Sequence, residues 1–317
     1  MQKKSEAFPK KIYLKPALEE RLAQILAVPL TVAAAPFGYG KTTAVKKVLL
    51  SLSVDMLWDT CYTGAEAAFW RCFVKSLQTA GVDTASLTWK ELPRNAATRQ
   101  RVIEVLQASN LKKTVDFVWN NYHLLGSEDC DKLLLALAKA DLPNWHFVLL
   151  TQRPPDFTLD ELVLKGECLY LQPKDFAFEV SDIIVYYRKN GIVLERRAAE
   201  NLLAATEGWV SALYLYLRQY HNGQSPQTGE ELLRLVQAVA YNSCSGAEKT
   251  LLTELSILNE DFSGRQAAYV TENDAAPALL ENLALRHGFI SYELLRGQYH
   301  IHNAFKVYLQ RLGAELP

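Results

Sequence analysis

The chain has 317 residues, which suits two or three domains better than one ordinary core. Its composition, 49% hydrophobic and 22% charged, excludes long disorder, and a formal net charge of -1 builds in no overall attraction to nucleic acid or to an anionic membrane. No apolar run reaches the roughly 20 residues that span a bilayer, and the basic start MQKKSEAFPKK lacks the apolar centre of a signal peptide, so a cytoplasmic protein without membrane contact is expected.

In chain order, LTVAAAP (30–36) reads as a short buried strand, and KTTAVKKVLLSL (41–52) as the helix that follows it. DMLWDTCY (55–62) reads as a second strand and AAFWRCFVKSLQTA (67–80) as an amphipathic helix. After RQRVIEVLQASN (99–110) come the strand VDFVWNN (115–121), the helix DCDKLLLALAKAD (129–141) and the strand HFVLLTQR (146–153). Continuous apolar strands separated by helices predict a parallel sheet covered on both faces. From about residue 172 the strand signals fade. FEVSDIIVYYRKNG (178–191) and ERRAAENLLAATEGW (195–209) read as helices ended by Gly191 and Gly208. HNGQSPQTG (221–229) is the best linker candidate. Helices are then predicted near 230–241, 246–258 and 276–287, followed by two short strands around LLRG, the pattern of a winged helix. The expected architecture is therefore an α/β P-loop NTPase domain with a parallel sheet (1–171), a small helical subdomain (172–222) and a winged-helix domain (223–317). The five cysteines are scattered without a CxxC pair, which predicts reduced thiols, most of them in the core.

The most specific motif is TVAAAPFGYGKTTAV. A strand runs into Pro36, Gly38, Tyr39 and Gly40, and Lys41, Thr42 and Thr43 open a helix. Backbone N–H groups of such a loop wrap phosphates, the lysine reaches the β- and γ-phosphates, and the Thr42 hydroxyl coordinates Mg²⁺. The first glycine of GxxxxGK[ST] is Ala35 here. The strand 115–121 ends in Asn120 and Asn121, where hydrolytic P-loop proteins carry carboxylates that hold the Mg²⁺ shell and position water. Asparagine keeps an acceptor of similar shape without charge or basicity, so hydrolysis is expected to suffer more than binding. Asp116 is the nearest substitute, placed ahead of the apolar strand; Glu128, Asp129 and Asp131 read as the acidic first turn of the next helix.

These residues carry a resemblance. The chain resembles the N-terminal ATP-binding module of the large LuxR-family (MalT-like) transcriptional regulators, within the signal-transduction ATPases with numerous domains (STAND). It matches their LxxRL-like helix with LKPALEERL (14–22), their PxGYGKTT loop with PFGYGKTT (36–43), and their FWxxF element with Phe69, Trp70 and Phe73. Their Asp-Asp-Tyr-His is NNYH (120–123) here, their Ser-Arg is Gln152 and Arg153, their Glu-Gly-Trp is Glu207, Gly208 and Trp209, and their HxxFxxxL is His302, Phe305 and Leu309.

The resemblance extends over essentially the whole chain. It implies ATP or ADP as ligand, Arg153 as a γ-phosphate sensor, His302 as a contact to the β-phosphate of bound ADP, and a closed-to-open change with self-association in the ATP state. Trp209 is expected to pack in a helical core. The family continues into an inducer-binding superhelix and a helix-turn-helix, so this chain reads as a cut-down or short relative with no direct DNA binding of its own. Arg286, His287, Arg296 and Lys306 are the one candidate basic face. The competing functions are an active ATPase that remodels a partner, which requires a carboxylate at the end of a central strand, and a pseudo-ATPase adaptor.

Overall fold

The computed structural model describes residues 11–315 apart from 53, 88–90, 110, 112, 156, 222–228 and 259, so the linker candidate falls almost entirely outside the described residues. It divides into two compact units, one of Ala17–Phe176, the other of residues 11–16 with 177–315.

The first unit is built on a five-stranded parallel sheet: β1 (Leu30–Ala34), β2 (Asp55–Thr60), β3 (Val115–Asn120), β4 (Trp145–Thr151) and β5 (Cys168–Leu171), in the order β2-β3-β4-β1-β5. Four of these strands are the predicted ones. β5 and the short helix Leu159–Leu164 before it were not anticipated, because elements of four and six residues carry no measurable period. β1 and β4 are buried at every position, as expected of strands covered on both faces. Alternation along β3 sends Val115, Phe117 and Trp119 to one face, where they pack with Phe69 and Phe73 of the helix Glu66–Thr79 and with Leu133 and Leu137 of the helix Glu128–Ala138. The centre of that core is aromatic: Phe117 lies 4.6 Å from Trp119, which stacks on Phe147 at 5.7 Å. Val118 and Asn120 take the opposite face, and with them Asp116. All five cysteines are free, and four of them are buried, Cys72 being the exposed one.

The second unit is helical apart from an antiparallel ribbon, β6 (Ile290–Glu293) and β7 (Gln298–Ile301), turned by Leu294–Gly297. The segment 11–16 is tied to the helix Val180–Lys189 and its flanks. Lys11 N–H donates to Asn190 Oδ1 (3.0 Å), the Tyr13 hydroxyl to Asp182 (2.8 Å) and Lys15 Nζ to the Ala177 carbonyl (2.8 Å). A helix at Gly264–Val270 went unforeseen, since seven residues span barely two turns. The candidate basic face does not form. His287 and Lys306 are buried, and Arg286 and Arg296 are paired with Glu248 and Glu293.

Glu207, Gly208 and Trp209 have a physical explanation within this unit. Trp209 is fully buried, 5.0 Å from Phe289 and 5.9 Å from His302 between ring centroids. Glu207 ends the helix Arg196–Thr206 in the left-handed conformation (φ 48°) and turns its carboxylate onto His300 Nε2 (3.0 Å) and the N–H of Asn303 (2.6 Å), the first residue of the helix Asn303–Glu315. His300 Nδ1 meets Asp261 at 2.7 Å.

The hydrogen bond to Glu207 and the charge of both carboxylates outweigh burial and raise the His300 pKa to about 9. Burial alone would raise Glu207, but His300, His302 and the Asn303 N–H hold it below its usual range. A histidine raised from 6.5 to about 9 contributes stability that is complete below pH 6.5 and lost as pH climbs to about 9. After discounting for its partial exposure, this is worth about 1–2 kcal/mol. Urea unfolding at pH 6.5 and pH 9.5 is therefore expected to show a loss of that size, and His300→Gln to lack it.

Candidate nucleotide site

β1 delivers the chain to the C-terminal edge of the sheet, where Ala35–Gly40 turn into the helix Lys41–Leu52. Gly38 (φ 83°) and Gly40 (φ 86°) occupy the left-handed region that side chains disfavour, so both glycines serve the backbone path. Ala35 is not among the positive-φ residues; it is fully buried and donates its N–H to Thr151 at 3.2 Å. The departure from glycine at this position therefore costs no backbone strain.

Lys41 folds back over the loop and donates from Nζ to the carbonyls of Ala35 (2.5 Å) and Pro36 (2.9 Å). Burial lowers its pKa from 10.5 to about 8, and among the described residues no carboxylate forms an ion pair with it. A desolvated ammonium at a helix N-terminus, offset only by carbonyl dipoles, is a site short of an anion. Triphosphate fits that deficit. Tyr39 is buried in the loop, whereas Thr42 and Thr43 are exposed on the first turn of the helix.

β4 stands between β1 and β3, and the ends of the strands still bring Asn120 to the loop: Thr42 Oγ1 donates to Asn120 Oδ1 at 3.3 Å. Both oxygens are neutral. A Mg²⁺ ion here would find Thr42 and Asn120 as ligands but would depend on the phosphates for charge balance. Asn121 adopts the left-handed conformation (φ 59°), which asparagine tolerates, and turns the chain into the short 3₁₀ segment Tyr122–Leu124.

The nearest carboxylates do not replace the missing ones. Asp116 lies inside β3, not ahead of it, at its second position. It is fully buried, neither oxygen has a hydrogen-bond partner among the described residues, and burial raises its pKa to about 7. It shares the face of Asn120 but sits four residues away, about 13 Å along the strand. Asp131, on the first turn of its helix as predicted, is buried and accepts from the Tyr122 hydroxyl at 2.6 Å.

Two further residues follow the ends of β3 and β4. Arg153 lies two residues beyond β4, and the Thr151 hydroxyl donates to its carbonyl at 2.6 Å. His123 lines the same recess as Arg153, Thr151 and Pro154, and its Nδ1 accepts from the Gln152 N–H at 3.3 Å. Burial, then the positive charges of Lys41 and Arg153, lower its pKa to about 4, so the ring is neutral with its proton on Nε2. Sequence reasoning placed His123 in NNYH without giving it a role. The structure thus gathers the loop, Asn120, Asn121, His123 and Arg153 in one unit. His302 belongs to the other unit, where it is buried among Trp209 and Phe289, its Nδ1 accepting from the Ala304 N–H at 3.2 Å.

No protein-family model and no curated protein matches the chain. Solved structures do. The Walker-type ATPase of Pyrococcus abyssi superposes with a TM-score of 0.62 at 15% identity, over 95% of this chain and 97% of that one. The STAND protein with a tetratricopeptide repeat sensor from Pyrococcus horikoshii superposes with a TM-score of 0.51, also at 15% identity, over 95% of this chain. This chain spans 43% of that protein's length. The sheet and its loop have the P-loop NTPase fold, in the form that STAND ATPases also use. Among the described residues no helix is long and apolar enough to cross a membrane.

Proposed function

We propose that the chain is an adenine-nucleotide-binding switch module of the MalT-like STAND type, in which ATP and ADP favour different arrangements of a P-loop domain, a helical subdomain and a winged helix. In this reading ATP promotes self-association, and hydrolysis is weak or absent. The observation that carries the proposal is the half-buried Lys41, without a carboxylate partner among the described residues and held by the carbonyls of a glycine loop, an arrangement suited to a phosphate chain. The asparagine pair argues against a working ATPase, because Asp116 is buried early in β3 and Asp131 is taken up by the Tyr122 hydroxyl, so neither replaces the missing acids. Adenine is preferred on the resemblance alone.

The test is to denature the purified protein, identify released nucleotide, and titrate ATP and ADP with Mg²⁺ by calorimetry. Lys41→Ala is expected to weaken both by at least an order of magnitude, since it removes a charged hydrogen bond to phosphate. Wild-type protein that neither carries nor binds a nucleotide would remove the proposal.

A further inference from the structure

We propose that His123 is a terminal-phosphate contact that makes this site prefer ATP to ADP. The inference rests on the nucleotide reading of the loop and adds to it a residue and a specificity. Three features of the fold converge on the imidazole. The left-handed turn at Asn121 leads from Asn120, which meets Thr42, into Tyr122–Leu124, which packs against β4 and sets His123 beside Gln152. The Gln152 N–H engages Nδ1, which fixes the tautomer and leaves Nε2–H as the outward donor. Lys41 and Arg153 are near enough for their charges to act on the ring, and His123 lines one recess with Arg153 and with Asp131, whose carboxylate is taken up by the Tyr122 hydroxyl.

A donor within reach of two positive charges points to an anion shared by all three. In a P-loop the lysine reaches the β- and γ-phosphates, and residues from outside the loop orient the attacking group or stabilise the terminal phosphoryl group. An Nε2–H at this place compensates in part for the uncharged Asn120 and Asn121. It adds a hydrogen bond to the terminal phosphate, where a carboxylate without its metal would repel it. ADP lacks the group that Nε2–H would meet.

Two substitutions separate this role from a structural one. In His123→Asn the side-chain oxygen can still accept from the Gln152 N–H, but the Nε2 donor is lost. In His123→Gln an amide N–H reaches about as far as Nε2. With ATP and ADP titrated separately in Mg²⁺, His123→Asn is expected to weaken ATP about tenfold and ADP less than twofold, as for loss of one hydrogen bond to a charged group. His123→Gln is expected to stay within threefold of wild type for ATP. Equal weakening of both nucleotides, or no change in either, would overturn the role while leaving the nucleotide reading intact. If His123→Asn fails to fold, His123→Ala read the same way decides: a selective loss of ATP binding supports the contact, and equal loss of both nucleotides or no loss overturns it. A wild-type protein that binds neither nucleotide would fail the nucleotide reading first, and this inference with it.

Discussion

Asn120→Asp is expected to raise Mg²⁺-dependent ATP turnover about a hundredfold, measured as phosphate release under saturating ATP. The expectation follows from where the side chain sits. Asn120 Oδ1 is 3.3 Å from the Thr42 hydroxyl, the oxygen that P-loop chemistry gives to the metal ion, so a carboxylate there enters the ion's shell without any backbone change. A unit charge pair at about 4 Å is worth roughly 4 kcal/mol at an effective dielectric near 20. Part of that stabilises bound Mg²⁺-ATP before reaction, and only the part that grows as charge develops appears in the rate. About 2–3 kcal/mol in the transition state corresponds to the hundredfold gain. Asn121→Asp should do less, because Asn121 lies beyond the end of β3 in the left-handed turn, whereas it is Asn120 that meets Thr42. Tighter Mg²⁺ binding with unchanged turnover in both variants and their double would show that something other than the missing acids limits hydrolysis.

Much of this site was legible because it is local. Strand, glycine loop, Lys41 and Thr42 are contiguous, and their chemistry depends on spacing alone; Gly38 and Gly40 indeed adopt the conformations their type permits. The sheet was legible for the same reason, β1, β3 and β4 being apolar at most positions, whereas β2, with Asp55, Asp59 and Thr60, was read from its apolar centre Met56–Trp58. What escaped depends on pairing at a distance. β5 is four residues long and becomes a strand through its ladder with β1, from Leu30 opposite Cys168 to Ala33 opposite Leu171. His123 acquires its tautomer from a backbone N–H 29 residues later in the chain. Asp116 looked like a residue before the strand because a charged side chain interrupts an apolar run. Burial there, which holds the carboxyl toward its neutral form, cannot be read from neighbours in sequence.

Gly208→Ala is expected to cost the unit that contains it about 3–5 kcal/mol, more than any other glycine-to-alanine change considered, as read by urea unfolding followed by circular dichroism. Gly208 has φ 74°, and a methyl group built on it would lie 2.3 Å from the carbonyl oxygen of Phe178 and 2.6 Å from its nitrogen. Those are backbone atoms. The Phe178 N–H donates to the Gly208 carbonyl at 3.0 Å, and the Phe178 ring packs edge-on against Tyr13 and Tyr186 at 5.5 and 5.6 Å, so neither strand of chain can withdraw without breaking a hydrogen bond and opening the core. Gly191→Ala is the internal control, in the same unit. Its φ of 85° is as unfavourable, but nothing lies within 4 Å of the added carbon, and strain alone predicts about 1–2 kcal/mol. Similar losses at both positions would mean that backbone conformation, rather than the close approach of Phe178, is what glycine supplies before Trp209.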